Sequence, residues 1–221
     1  MLVPPVFLVA PVNQAVPSNG TFSASAVVRG NPALYKFEWR EISTFRRGTT
    51  NSTDSTNVMS YGPITNFASR SWRLLVMNDA NPSGSVATFA VAAVPDTDGD
   101  GLPDDWENTY GFNPASGSDR NVDSDGDTMS NYQEFLAGTD PTQRQSFLKI
   151  ETANAPGGVG AAIQFGAVAN KTYNIWYTDN LGRLPWTKLL SVPARSNDRV
   201  ETIIDPTWTT NRFYQIGTPA S

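Results

Sequence analysis

Apolar and polar residues alternate with period two over most of the chain. Phe22, Ala24, Ala26 and Val28 fall on one face, as do Tyr35, Phe37 and Trp39, with Lys36, Glu38 and Arg40 on the other. Trp72, Leu74 and Val76 repeat the pattern, and Ala87, Phe89, Val91 and Ala93 close it. Successive side chains of a strand point to opposite sides of a sheet, so each set predicts a half-buried strand. Clusters rich in Gly, Asn, Ser and Pro at 17–20, 30–32, 48–57 and 78–84 predict the turns between them. Short strands at this spacing predict a β-sandwich over residues 1–94.

The same alternation returns in residues 146–221. Ile163, Phe165 and Ala167 form one set, Tyr173, Ile175 and Tyr177 another, and Val200, Thr202 and Ile204 a third, with Trp186, Phe213 and Tyr214 supplying bulk. These predict a second, smaller β-sandwich. Residues 95–145 break the pattern abruptly at Pro95 and carry a different one. The predicted fold is therefore mainly β: a sandwich, a short two-helix connector, and a second small sandwich.

Inside the connector, oxygen-bearing side chains recur at fixed spacing. From Asp96, carboxylates stand at loop positions 1, 3, 5, 9 and 12 (Asp96, Asp98, Asp100, Asp104, Glu107), Gly101 fills position 6, and Leu102 at position 7 offers its carbonyl. From Asp123 the series repeats as Asp123, Asp125, Asp127, Asn131 and Glu134, with Met129 offering its carbonyl. Calcium takes six to eight oxygens at about 2.3–2.6 Å, and this 12-residue spacing supplies them, with a bidentate Glu at the last position. Position 6 requires a sharp turn with positive φ, which Gly adopts freely. Thr128 holds that position in the second loop, predicting local strain and a weaker site.

Each loop leads into about two turns of predicted helix, Asp104–Tyr110 and Asn131–Ala137. Gly111 with Asn113-Pro114, and Gly138 with Asp140-Pro141, supply C-terminal stops. Trp106, Tyr110, Phe112, Tyr132, Phe135 and Leu136 give the two helices apolar sides. Neither loop is preceded by a helical pattern, so these are half-EF-hands.

Charge sharpens this reading. Residues 96–140 hold twelve of the 21 acids and one base, Arg120, a net charge of −11 inside a chain whose overall charge is −5. Such a block repels itself unless a cation sits within it. The basic residues form no run or stripe, which excludes a nucleic-acid surface. No apolar stretch reaches the roughly 18–20 residues of a membrane span. The chain has no cysteine and no histidine, which removes zinc sites of the usual kind, thiol nucleophiles and Ser-His-Asp relays. No nucleophile and base can be paired from the residues that remain, so no enzymatic activity is expected. Asn19-Gly-Thr21, Asn51-Ser-Thr53 and Asn170-Lys-Thr172 match the glycosylation acceptor pattern, a frequent coincidence in a chain rich in Ser, Thr and Asn.

Residues 1–94 resemble the immunoglobulin-like fold. Trp39, within Tyr-Lys-Phe-Glu-Trp-Arg, stands where such domains place the tryptophan of their third strand. Trp72-Arg-Leu74-Leu-Val76-Met-Asn78 resembles the pattern of their sixth, with Leu74 and one of Ala24 or Ala26 replacing the disulfide cysteines. The run Asp-Thr-Asp-Gly-Asp-Gly-Leu-Pro-Asp-Asp-Trp-Glu, followed by Tyr-Gly-Phe-Asn-Pro and later Glu-Phe-Leu-Ala-Gly-Thr-Asp-Pro, resembles the thrombospondin type-three-like calcium modules of secreted bacterial proteins, and dockerins look similar over the loops. Tyr173–Trp186 resembles C-terminal β modules that follow such repeats.

These resemblances imply a secreted or cell-surface protein that binds two calcium ions. Its expected role is structural or adhesive, with the apolar strand Met1–Ala10 a candidate for pairing with another copy in a surface layer or filament. The alternative is the non-catalytic region of a larger secreted hydrolase, in which Trp176, Trp186 and Trp208 contribute to a polysaccharide surface. Calcium in both loops is expected to neutralise the acidic segment and stiffen it.

Overall fold

The computed structural model describes residues 1–43, 47–65, 69–154, 160–182 and 185–218. The chain divides into two compact units between Asp119 and Arg120. The first acidic loop falls in the first unit and the second in the second.

The first unit contains β1 (Val3–Val9), β2 (Gln14–Pro17), β3 (Phe22–Asn31), β4 (Tyr35–Glu41), β5 (Arg47–Ser52), β6 (Thr56–Tyr61), β7 (Arg70–Asn78) and β8 (Asn81–Val94). Two sheets form, with orders β1-β3-β6 and β2-β8-β7-β4-β5. β2 runs parallel to β8, and every other pair is antiparallel. The alternating residues read from the sequence meet between the sheets: Phe22, Ala24, Ala26, Val28, Phe37, Trp39, Leu74, Val76, Phe89 and Val91 share one core. This is the immunoglobulin-like arrangement, in which the third strand's tryptophan is buried between sheets. Trp39 is buried and its Nε1 donates to Asn57 Oδ1 at 2.7 Å.

Two local features depart from the expected turns. Within 48–57, a cluster that reads as a turn, Arg47–Ser52 instead forms β5, paired with β4. Its polar residues suit an edge strand that has one neighbour and faces water. At 78–84 the turn is tight, with Asn78 opposite Asn81. Buried Asn78 holds it: its Oδ1 accepts from the amides of Ala80 and Asn81, and its Nδ2 donates to Val3 O.

The second unit contains β9 (Thr152–Asn154), β10 (Ala161–Ala167), β11 (Tyr173–Thr178), β12 (Thr187–Val192), β13 (Arg199–Asp205) and β14 (Phe213–Gly217), in sheets ordered β13-β10-β9 and β12-β11-β14. Ile163 and Phe165 from one sheet and Tyr173, Ile175 and Val192 from the other build a common core. On β13 the period is as expected but the face is reversed. Val200 and Ile204 are 71% and 56% exposed, while Asp205 is fully buried. The inward side of this edge strand carries Ile203, packed against the core, and ends in a polar network around Asp205. Arg212 Nη1 donates to Asp205 Oδ2 at 2.9 Å, Arg212 Nε donates to Asp179 Oδ1 at 2.8 Å, and the Tyr214 hydroxyl donates to Asp205 Oδ2 at 2.9 Å. Burial pushes the Asp205 carboxyl up, but the hydrogen bonds from Arg212 and Thr207 outweigh it and hold the group ionised, below its usual range.

Removing one partner of a buried ion pair leaves the other charge uncompensated. Arg212→Met is therefore expected to destabilise the second unit by about 3 kcal/mol, read from the denaturant midpoint of that unit's transition. A change below about 0.5 kcal/mol would show that the network contributes only surface electrostatics.

Candidate metal centre

The first loop lies between β8 and a short helix, α1 (Asp104–Tyr110). No helix enters it, since β8 ends at Val94, immediately before Pro95. Its carboxylates point inward because each closes an Asx-type turn on the loop's own backbone. Asp96 Oδ1 accepts from Gly99 N–H at 2.9 Å and its Oδ2 from Gly101 N–H at 3.1 Å; Asp98 Oδ1 accepts from Asp100 N–H, and Asp100 Oδ1 from Leu102 N–H at 2.7 Å. These bonds draw carboxylate oxygens of Asp96, Asp98 and Asp100 to within 4.8 Å of one another. Leu102 is fully buried. Asp104 turns back across the loop entrance, where its two oxygens accept from the Thr97 amide and hydroxyl, both at 2.7 Å.

Glu107, on α1, is fully buried, and neither of its oxygens has a hydrogen-bond donor. Asp98 Oδ2 and Asp100 Oδ2 are buried and unpartnered as well. α1 ends at Gly111, whose φ of 79° is the left-handed stop expected of a glycine there, and Trp106 packs on Tyr110 and Phe112 at 4.9 and 5.6 Å.

The second loop repeats these bonds 27 residues later, Asp123 standing for Asp96. Asp123 accepts from Gly126, Asp127 and Thr128 amides, Asp125 from Asp127, and Asp127 from Met129 at 2.8 Å. Oxygens of Asp123, Asp125 and Asp127 again lie within 4.8 Å of one another. α2 (Asn131–Ala137) begins with a capping box: Ser130 Oγ accepts from Gln133 N–H while Gln133 Oε1 accepts from Ser130 N–H at 2.8 Å. Asn131 and Glu134 are fully buried. Thr128 adopts φ 86°, the strained conformation expected at position 6. Glu134 differs from Glu107 in one respect. Its Oε1 accepts from the Thr139 hydroxyl at 3.3 Å, and only Oε2 is left without a partner.

The charges in each loop act on one another. Burial, then repulsion from Asp98, Asp100, Asp119 and Asp104, pushes the Glu107 carboxyl up to about 7. Burial, then Asp127 and Asp125, pushes Glu134 up to about 7, with the Thr139 hydrogen bond opposing. Asp96 and Asp100 are raised by burial despite their backbone hydrogen bonds. An unpaired buried carboxylate costs several kcal/mol, so this donor set calls for a hard cation. All-oxygen ligation by carboxylates, with no nitrogen or sulfur, fits calcium. Asp119, which lies outside the 12-residue pattern, belongs to the first cluster electrostatically. Thr97 and Thr139 also take part, and spacing gave no sign of either.

The bacterial TSP3 repeat matches residues 96–116 and 123–143, the two loops with their helices. No curated protein matches the chain. Among solved structures, similarity falls on immunoglobulin-type domains. A chimeric titin Z1Z2 carrying an exogenous decorin peptide is 15% identical, with 43% of this chain and 98% of that one covered at a TM-score of 0.35. Titin domain M7 is 11% identical, with 42% and 96% covered at 0.37. Dpr1 IG1, in its complex with DIP-eta IG1, is 19% identical, with 42% and 97% covered at 0.35.

A carboxyl with a higher pKa folded than unfolded binds protons more tightly in the folded chain, so its contribution to stability falls as pH rises between the two values. In chelator, the contribution of Glu107 and Glu134 therefore declines from about pH 4.5 to about 7. The melting temperature of the chelated chain is expected to drop over this range, and less so in a Glu107→Gln, Glu134→Gln double variant. Equal slopes would contradict the assignment. Thr128→Gly relieves about 1 kcal/mol of backbone strain and is expected to strengthen calcium uptake by the second loop several-fold in a calorimetric titration; unchanged uptake would show that the strain is not felt there.

Proposed function

We propose that this chain is a calcium-stabilised structural module of the cell exterior, without catalytic activity, that takes one calcium ion in each of its two loops. The observation that carries the reading is the pair of fully buried glutamates, Glu107 and Glu134, each with an unpartnered oxygen at the end of an acidic loop. In the first loop Asp96, Asp98, Asp100, Asp104 and Glu107 would hold the ion with the Leu102 carbonyl, Asp104 directly or through water; in the second, Asp123, Asp125, Asp127, Asn131 and Glu134 with the Met129 carbonyl. Bound calcium would offset carboxylate repulsion in each loop, and a site saturated a hundredfold over its dissociation constant adds about 2.7 kcal/mol to folding. With no cysteine in the chain, that contribution replaces the crosslinks many extracellular domains use.

An exterior location is supported by the pairing of a TSP3 repeat with an immunoglobulin-like sandwich. A structural or adhesive role is supported by β1. It is an edge strand, joined to its sheet through β3 alone, and it leaves Leu2, Val3, Val6 and Leu8 exposed. Such an edge is a template for strand pairing with another copy. Among the described residues no helix is long and apolar enough to cross a membrane.

Calorimetric titration of the chelated chain with calcium is expected to show two binding events, with Glu107→Gln and Glu134→Gln each abolishing one. Chelation is expected to lower the melting temperature by several degrees. A chain that takes up no calcium, or whose melting is indifferent to chelator, contradicts the proposal.

A further inference from the structure

The two loops are near copies over their twelve residues, and one difference between their surroundings falls on a carboxylate. Shifting the first repeat by the 27 residues that separate Asp96 from Asp123 brings Asn113 onto Asp140 and Asp119 onto Ser146. The backbone keeps the correspondence. Asn113 N–H donates to Asp119 Oδ2 at 3.3 Å, and Asp140 N–H donates to Ser146 Oγ at 2.9 Å. The amide after each helix is thus met by a carboxylate in the first repeat and by a hydroxyl in the second.

That turn is held against the first cluster. Gly117 leaves no room for a side chain, since a Cβ there would stand 2.8 Å from Asp100 Cβ. Ser116 N–H donates to Asn113 O and Ser118 N–H to Ser116 O at 2.7 Å, which tightens the segment leading into Asp119. With Oδ2 on the Asn113 amide, the other oxygen, Oδ1, is buried. Glu107, at the end of the same loop, is fully buried, and its two oxygens have no donor.

Resting on the calcium reading above, we propose that Asp119 is an additional ligand of the first calcium site, bound directly or through one water, and makes that site the tighter of the two. The first loop then gathers six carboxylates, Asp96, Asp98, Asp100, Asp104, Glu107 and Asp119, where the second has four, Asp123, Asp125, Asp127 and Glu134. Calcium affinity rises with ligand charge and site rigidity. The second site is weakened on three further counts. Asn131 replaces an acid, Thr139 occupies one oxygen of Glu134, and Thr128 is strained. Asp119 lies beyond the stretch matched by the repeat, which ends at residue 116.

The test uses the full chain and calcium alone. Asp119→Asn removes the charge but keeps an oxygen that can accept from the Asn113 amide, so a purely structural role would survive it. It is expected to weaken the tighter of two calorimetric events at least tenfold and leave the weaker one unchanged. In a Glu134→Gln background, which isolates the first site, the same loss is expected. The converse variant, Ser146→Asp, is expected to strengthen the weaker event. Two events of unchanged affinity in Asp119→Asn overturn this proposal while leaving the calcium reading intact. A parent chain that binds no calcium overturns both. If Asp119→Asn does not fold, Ser146→Asp decides, and an unimproved weaker event counts against the proposal.

Discussion

Mutual repulsion of carboxylates, enforced by the backbone, is the constraint on which both loops depend. Each aspartate is turned inward by amides of the loop's own chain, and each loop ends by placing a glutamate where water does not reach it. Backbone hydrogen bonds oppose the rise that burial imposes on Asp96 and Asp100, yet Glu107 receives none, and burial next to like charges drives its pKa up to about 7. A peptide segment of this kind is unfavourable by itself and favourable around a divalent cation. The loop geometry is inexpensive in conformational terms because Gly99, Gly101 and Gly126 supply the positive φ angles, leaving Thr128 as the exception.

What surrounds the loops fastens them to the sheets within each unit. In the second unit Lys171 Nζ donates to Phe135 O at 2.6 Å, close to the C-terminal end of α2, and lies 5.0 Å from the Phe135 ring. Burial lowers the Lys171 pKa to about 8. Gly138, which ends α2, leaves space that Val168 and Lys171 fill. The helix that carries Glu134 is thereby fastened to the turn between β10 and β11. In the first unit β8 runs directly into the loop, so the sandwich and the first cluster share a continuous backbone.

Much of this was legible in the sequence because it is local. Period two located the core faces of β3, β4 and β7, and twelve-residue spacing located the loop carboxylates, their helices and the glycine stops. Features fixed by residues distant in sequence were not legible. The exposed face of β13 follows from Ile203 packing against the core and Asp205 being claimed by Arg212 and Tyr214, so that Val200 and Ile204 point outward despite their hydrophobicity. β5 reads as a turn because an edge strand needs no apolar face. Asp119 escaped the spacing rule because a turn over 113–118, not the loop, brings it to Asp100.

The central claim is that a calcium ion sits against the unpartnered oxygens of each buried glutamate. The most direct measurement is an anomalous-difference map from crystals grown with calcium. The account predicts two peaks, each about 2.3–2.6 Å from the carboxylate oxygens of its loop, with Glu107 contributing both of its oxygens to the first. Well-ordered loops with no peak at either glutamate, or peaks lying on the sheet surfaces instead, would contradict it.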